Sequence, residues 1–208
     1  MSRDRSVRLI VLLLSMLFYI PINRFAHGGT QLQIPLDRSI PLYPPAIIPY
    51  LFGTLLFICF PVWAAFRAET VEFEAYSISI LLAMYISYFV YLVFPTFVVR
   101  PEILSTDIFS RILNSLYSAD KAYNDAPSGH AFYTLLSLLY LSKWRPKLRS
   151  IWLVVALLIL GSTLLTRQHN ILDLVLGLTL GIFAYLVGQM IETKWNAFRA
   201  KRDIRVNE

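Results

Sequence analysis

Charged residues are scarce in this chain. Asp, Glu, Lys and Arg make up 15% of its 208 residues and 57% are hydrophobic, whereas a soluble domain carries about 25% charged residues. This deficit argues against a soluble enzyme and against disorder, and favours a protein whose main solvent is lipid. The single cysteine, Cys59, excludes an internal disulfide and a cysteine-based zinc site. The net charge of +6 does not predict a nucleic-acid partner, because the basic residues lie between apolar runs and are not interleaved with stacking aromatics.

Apolar residues concentrate in six segments. A membrane-spanning helix needs about 20 residues; three segments reach that length, and Lys143, Trp144 and Ser150 can extend shorter ones to the interface. No segment alternates apolar and polar residues as a transmembrane β-strand does. The sequence therefore predicts one domain over residues 1–208, an all-α integral-membrane bundle of six transmembrane helices. The segments are Val7–Ile22, Ala46–Ala65, Ala75–Phe94, His130–Leu141, Ile151–Leu165 and Ile171–Ile191.

Lys and Arg are distributed unequally between the two sides of the predicted bundle. Thirteen lie at the N-terminus, in the second–third and fourth–fifth loops and in the tail, whereas six lie in the other loops. The positive-inside rule therefore places both termini in the cytoplasm, and residues 100–127 and 167–169 outside. We expect a multi-pass protein of the plasma membrane. The basic start of the first segment also resembles a signal peptide, but no small-x-small cleavage site follows, and cleavage would not reverse the orientation.

The longest predicted external loop, between Pro101 and Pro127, contains apolar residues at helical spacing. Ser105 or Thr106 can cap this helix, and Asp107 suits its first turn. The pattern predicts a short amphipathic helix lying in the membrane interface. A helix packed over the mouth of the bundle is the alternative that the sequence leaves open. The apolar residues are Ile108, Phe109, Ile112, Leu113, Leu116 and Tyr117.

Two of the three histidines begin predicted helices at the same external face. His130 begins the fourth span within a Pro-Ser-Gly-His sequence, and His169 begins the sixth, four residues before Asp173. Residues four apart share one face of a helix, so Asp173 can accept the imidazole N–H of His169 and fix its tautomer. A carboxylate just inside an apolar span is unfavourable without such a partner. His27 has no comparable neighbour and is interpreted as a loop residue.

Anion-binding groups are predicted at the same face. Ser128 can cap the fourth helix, and Gly129 leaves backbone N–H groups open to an oxyanion. Arg100, at the end of the third span, has a planar guanidinium suited to phosphate oxygens, and so does Arg167. Taken singly, each residue also suits a plain cap or a topology anchor. Together with two imidazoles and a carboxylate, they predict an anion site with a nucleophile and a proton donor.

At these residues the sequence resembles the type 2 phosphatidic acid phosphatase and vanadium haloperoxidase superfamily. Within it, the chain is similar to the branch of inositol phosphorylceramide synthases and related membrane phosphatases. Arg100 and Pro101 match the end of the first family motif, residues 127–130 match the second, Pro-Ser-Gly-His, and His169 with Asp173 match the third, His-x-x-x-Asp. Each motif is weak alone, but their order and spacing within six predicted spans make the resemblance specific.

Two cations of the general family pattern are missing. The Lys that usually precedes the first-motif Arg by seven residues is replaced by Val93. The Ser-Arg that usually opens the third motif is replaced by Ser162 and Thr163. Arg167, two residues before His169, resembles the synthase-like form of the motif, so we expect it to supply the lost charge.

The resemblance implies a covalent mechanism without a metal or a cofactor. His169 is expected to attack phosphorus and form a phosphohistidine, Asp173 to stabilise its positive charge, and His130 to protonate the leaving alcohol. The substrate implied is an amphiphilic lipid phosphate that enters from the surrounding membrane lipids. The non-bridging oxygens are expected to be held by Arg100, Arg167, Ser128 and Gly129.

Three functions remain open from the sequence. The leading hypothesis is a membrane phosphatase that hydrolyses a lipid phosphate or diphosphate at the extracytoplasmic face. The alternative is a lipid phosphotransferase, similar to inositol phosphorylceramide synthase, that moves a phosphoryl headgroup to a lipid alcohol. The third is a non-catalytic lipid-binding or transport protein, because the two missing cations weaken the expected phosphate site.

Overall fold

The computed structural model describes residues 2–206, with the side chains of residues 2–198, and this part of the chain is helical. It contains no β-strand, and two isolated bridges, Thr30–Thr96 and Phe97–Tyr123, join its loops. The predicted all-α class is therefore confirmed for the described residues. Three short 3₁₀ turns cover Pro35–Ser39, Pro44–Ala46 and Pro146–Leu148. The α-helices are α1 (Arg3–Leu17), α2 (Tyr19–Phe25), α3 (Ile47–Arg67), α4 (Thr70–Val93), α5 (Ile108–Ala119), α6 (Gly129–Trp144), α7 (Arg149–Leu165) and α8 (Ile171–Val206).

Several of the helices can cross a membrane. The fourth predicted span is α6, whose 16 residues are fewer than a crossing helix usually needs. It lies among α3, α4, α7 and α8. The multi-pass membrane character is supported, whereas the sixth span stays a prediction. Within the described residues, five segments are long and apolar enough: Arg3–Phe25, Pro44–Arg67, Thr70–Val93, Pro146–Leu165 and Ile171–Phe198.

The predicted segments differ from the observed helices mainly at the two ends of the chain. The first segment is divided into α1 and α2, which meet at Phe18, three residues before the helix-disfavouring Pro21. The last helix does not end at Ile191 but continues to Val206. Its extension is rich in Ala, Lys, Arg and Glu, which have high helix propensity, so loss of apolar character does not end the helix there.

The helices alternate in direction, so the loops divide between two ends of the bundle. Residues 26–46, 94–128 and 166–170 connect helices at one end, and residues 68–69 and 145–148 connect them at the other. The first two of these loops are joined by the Thr30 N–H, which donates to the Pro95 carbonyl at 2.9 Å. Both predicted catalytic histidines therefore lie at the same end of the bundle.

The helix in the long loop packs over the beginning of α3. Leu113 of α5 is fully buried against Ile47 and Tyr50. The N-cap of α5 is Asp107, whose carboxylate accepts the N–H groups of Phe109 and Ser110 at 2.8 and 3.2 Å. The cap predicted at Ser105 or Thr106 is therefore wrong by one or two residues, because a carboxylate can accept two N–H groups at once. The packing matches the alternative of a helix over the mouth of the bundle, and its position relative to a membrane interface stays a prediction.

A glycine allows α8 to lie close to α4 and α6. A Cβ added at Gly188 would lie 2.5 Å from the hydroxyl of Tyr140 and 2.8 Å from the carbonyl oxygen of Ala75. These atoms are fixed in turn, since the Tyr140 hydroxyl lies 2.9 Å from that of Ser79. The helices can therefore reach this separation only without a side chain at position 188.

We predict that Gly188→Ala destabilises the protein by roughly 1–3 kcal/mol, as overpacking does. The matched control is Gly161→Ala in α7, where an added Cβ meets no atom within 4 Å. That change should be neutral or stabilising, because alanine favours a helix over glycine by about 1 kcal/mol. Thermal unfolding in detergent measures both. Equal effects of the two substitutions would contradict this account of the contact.

Candidate active site

The first turns of α6 and α8 dock on one another. The Ser128 N–H donates to the Asp173 carbonyl at 2.9 Å, and the Ser128 hydroxyl accepts the Ala131 N–H at 3.3 Å. The predicted cap of α6 by Ser128 is thereby confirmed. A Cβ at Gly177 would lie 2.5 Å from the Ser128 carbonyl oxygen and 2.8 Å from Ala131 Cβ. This close contact fixes the spacing between the two segments that carry the histidines.

The two histidine rings lie edge to face, with their centroids 5.9 Å apart. His130 stacks on Tyr50 at a centroid distance of 4.3 Å, and its Nε2 lies 3.1 Å from the Thr54 hydroxyl. Thr54 donates its only proton to the Tyr50 carbonyl at 3.2 Å, so it accepts from His130 Nε2–H. Sequence analysis missed Tyr50 and Thr54, because both lie inside an apolar segment without a motif.

Asp173 lies beside His169, but the predicted hydrogen bond is not formed. His169 Nδ1 is 4.0 Å from Asp173 Oδ2, beyond hydrogen-bond distance, and that oxygen accepts the Asn170 N–H at 2.7 Å instead. The prediction was wrong because His169 precedes α8, which begins at Ile171, so the two residues do not share a helical face. Among the described residues, His169 Nδ1 and Asp173 Oδ1 are buried without a hydrogen-bond partner.

A carboxylate from the first long loop caps α8. Asp37 is 1% exposed, and its two oxygens accept the N–H groups of Ile171 and Ile34, each at 2.8 Å. Arg167 has a left-handed φ of 52° and donates to the carbonyls of Asp37 and Ile40. Asp37 therefore holds the segment that carries the second histidine. Sequence analysis missed it, because a single Asp more than a hundred residues from α8 has no spacing that points there.

Both predicted phosphate-binding arginines already have hydrogen-bond partners. The guanidinium of Arg167 faces the first long loop. Arg100 donates to the Tyr117 carbonyl at 3.2 Å and to the side chain of Gln168, and lies 3.7 Å from the Asp120 carboxylate. Arg100 is thus connected to His169 through the neighbouring Gln168, whereas the guanidinium of Arg167 is bonded to the carbonyls of Asp37 and Ile40. Their roles in phosphate binding stay predictions, and His27 is an exposed loop residue as expected.

The histidines line a cavity of about 440 Å³, a volume typical of small-molecule sites. Residues from α1 to α6 and from the loop between α5 and α6 form its other walls, and Gln168 also lines it. Among the described side chains that line it there is no Lys or Arg, whereas Asp120 and Asp125 are present. The cavity is therefore apolar and aromatic, with acidic groups beside the histidines. Its aromatic side chains are Tyr19, Tyr50, Phe57, Tyr88, Tyr91, Tyr123, Phe132 and Tyr133.

The electrostatics of the site keep its second histidine neutral. Burial, helped by the nearby Arg100 guanidinium, lowers the pKa of His169 to about 3. Its imidazole therefore retains a free lone pair at neutral pH. Burial raises the pKa of Asp120, and burial together with the Asp173 carboxylate raises the pKa of Asp125 well above its usual range. The candidate site thus combines a neutral imidazole with acidic neighbours that resist ionisation.

Fold and site together define a helical membrane protein with two histidines and a carboxylate beside a cavity. The family model described as the PAP2 superfamily matches residues 76–196, more than half of the chain. The chain therefore belongs to the PAP2 superfamily, and membership indicates a phosphatase or phosphotransferase-type activity. No curated protein and no solved structure matches the chain. The predicted likeness to the inositol phosphorylceramide synthase branch stays a prediction.

We predict that His169 weakens the folded protein at acid pH. Its pKa is about 3 when folded, against an ordinary value of 6.5, so below pH 6.5 the unfolded chain binds a proton that the folded protein does not. Stability is therefore lost as the pH falls through that range. On moving from pH 7.5 to pH 5, His169→Gln should lose several degrees less in melting temperature than the wild type in detergent. The control is His27→Gln at an exposed position, which should lose as much melting temperature as the wild type. If His169→Gln also lost as much as the wild type, the acid sensitivity would not come from His169.

Proposed function

We propose that the chain is a membrane lipid phosphatase that hydrolyses a lipid phosphate or diphosphate at the extracytoplasmic face of the plasma membrane. The observation that carries the proposal is the pair of histidines, with ring centroids 5.9 Å apart, in a PAP2 superfamily chain. Asp173 lies beside one of them, and the cavity that they line is mainly apolar. An amphiphile whose phosphate reaches the histidines fits this combination.

In the first proposed step, His169 attacks phosphorus through a neutral ring nitrogen. A P–N bond forms while the bond between phosphorus and the lipid oxygen breaks, and His130, which enters this step as an imidazolium, gives one proton to that oxygen and becomes neutral. The phosphorylated imidazole carries a positive charge. Asp173 Oδ1 and His169 Nδ1, both unpartnered among the described atoms, can then form the hydrogen bond that stabilises this charge by a small rotation.

In the second proposed step, water replaces the lipid. It loses a proton to His130 and attacks phosphorus, the P–N bond breaks, and inorganic phosphate leaves with both histidines restored. The non-bridging oxygens are held by Arg100 and by the N-terminal N–H groups of α6 at Ser128 and Gly129. Arg167 assists if its loop contacts are exchanged for the phosphate.

The second candidate is a lipid phosphotransferase. It shares the first step, and a lipid alcohol takes the place of water in the second. The observation that favours it is the apolar and aromatic lining beside the histidines, which suits an amphiphilic acceptor. Purified protein with a panel of lipid phosphates, with and without a lipid alcohol, distinguishes the two by free phosphate against transferred product. Formation of neither product would favour a non-catalytic lipid-binding protein.

The two histidines are predicted to differ in their sensitivity to the leaving group. His169→Ala should abolish turnover of every substrate, because no covalent intermediate can form. His130→Ala should reduce hydrolysis of a lipid phosphate by about 10²-fold or more. It should spare much of the first step with an aryl phosphate, whose leaving group needs no proton.

The intermediate itself can be trapped. Alkaline quenching preserves a phosphoramidate, so His130→Ala should accumulate label on His169, since the acceptor is no longer activated. Label on His130, together with retained activity of His169→Ala toward the aryl phosphate, would show that His130 is the nucleophile and His169 the proton donor. Equal loss with both substrates, and no label in either variant, would refute the covalent mechanism.

The proposal includes six spans, with α6 as a short central one, and cytoplasmic termini. In a Cys59→Ser background, a cysteine at the exposed Ser118 of α5 should react with an impermeant thiol reagent added to intact cells, because the charge asymmetry places this loop outside. A cysteine at the exposed Ser150, at the other end of the bundle, should not react until the cells are opened. Labelling of position 150 alone would reverse the orientation and place the site in the cytoplasm.

A further inference from the structure

We propose that Asn124 and Asp125 form a subsite for an ammonium group of the substrate. The substrate class that follows is an amphiphilic phosphate ester with an amine a few bonds from phosphorus. The inference rests on the proposed function, because it assumes that the phosphate is held at His169. It adds a specificity determinant that the proposed reaction itself does not require.

Both residues of the subsite are buried with unused hydrogen-bonding groups. Each is 3% exposed and lines the cavity of the histidines. Among the described residues, neither carboxylate oxygen of Asp125 has a hydrogen bond, and the Asn124 amide has none at either atom. Buried polar groups are rarely left in this way without a ligand, water or ion to satisfy them.

The backbone around the subsite is fixed, in contrast to these side chains. The Asn124 N–H donates to the Thr96 carbonyl at 3.0 Å, and the Ala126 N–H donates to the Thr96 hydroxyl at 2.9 Å. Asn124 itself has a left-handed φ of 64°, which asparagine tolerates better than most residues. The segment is therefore held in one conformation, and the unused polar atoms are held with it.

The charge of the cavity determines what the subsite can bind. Its described lining contains Asp120 and Asp125 but no Lys or Arg, so a substrate without a cation leaves the buried Asp125 without a charged partner. An ammonium group supplies that partner. It favours the ionised form of Asp125, whose pKa is raised by burial and by the Asp173 carboxylate. Tyrosine faces in the same lining also attract a cation.

The position of the subsite limits the distance between amine and phosphate. Asp125 lies three residues before Ser128, the cap of α6, and lines the same cavity as His169. A group at the Asp125 side chain is therefore close to a phosphorus atom at His169. A long-chain 2-amino alcohol that carries its phosphate on carbon 1 has its amine a few bonds from phosphorus and suits this arrangement.

The test compares two substrates that differ only in charge. One is a long-chain 2-amino alcohol 1-phosphate, and the other is its N-acetyl derivative. With purified wild-type protein in detergent, kcat/KM should be roughly tenfold higher for the free amine, as expected for a desolvated cation contact. Asp125→Asn should bring this ratio close to one, mainly by loss of activity toward the amine. Asp107→Asn, which alters the cap of α5 outside the cavity, is the control and should keep the ratio.

The outcomes separate this inference from the proposed function. Turnover of both substrates by the wild type with equal kcat/KM would overturn the subsite and leave the phosphatase intact. A preference that persists in Asp125→Asn would overturn the assignment to this residue. No turnover of either substrate or of the lipid phosphate panel would overturn the proposed function and the inference together. If Asp125→Asn does not fold, the ratio of kcat/KM for the amine to that for its N-acetyl derivative is compared between the wild type and Asp125→Glu. These two ratios then decide whether the carboxylate at this position selects the amine.

Discussion

The contact between the first turns of α6 and α8 is the constraint on which the site depends. The Ser128 N–H meets the Asp173 carbonyl at 2.9 Å, and Gly177 leaves the space that this approach needs. Two helix N-termini are thereby brought to one place, each with a partial positive charge. These partial charges add positive potential to a site that has few cationic side chains. A side chain at position 177 would separate the two helices and, with them, His130 from His169.

The loops at this end of the bundle also hold the turn that carries His169 in place. The Thr163 carbonyl accepts the N–H groups of Gln168 and His169 at 3.0 and 3.2 Å, and the Asp37 carboxylate caps α8 from the first long loop. Thr163 stands where the family usually has an arginine, and its backbone carbonyl therefore holds the turn that carries His169. Positioning here comes from backbone groups and buried carboxylates, which leaves Arg100 as the cation connected to the histidine segment.

The sequence was sufficient for what depends on composition and local order. Long apolar runs predicted the helices, and a serine before Gly129 predicted the cap of α6. It was insufficient where a result depended on a turn or on a distant partner. The expected hydrogen bond from His169 to Asp173 required a helix that begins two residues earlier than it does. The direction of Arg167 is set by a left-handed φ, and the cap by Asp37 joins residues 134 positions apart.

The bonds of Arg100 explain how a site with engaged arginines can still receive a phosphate. Its guanidinium donates to the neutral side-chain oxygen of Gln168, a residue that lines the cavity. A phosphate oxygen is a stronger acceptor than this amide oxygen, because it carries negative charge and a phosphate can accept two N–H groups of one guanidinium at once. In the proposed reaction, exchange of Gln168 for phosphate is therefore favourable for Arg100. It would also bring a positive charge toward the phosphorus that His169 is proposed to attack, at the step where negative charge on the phosphate oxygens must be held.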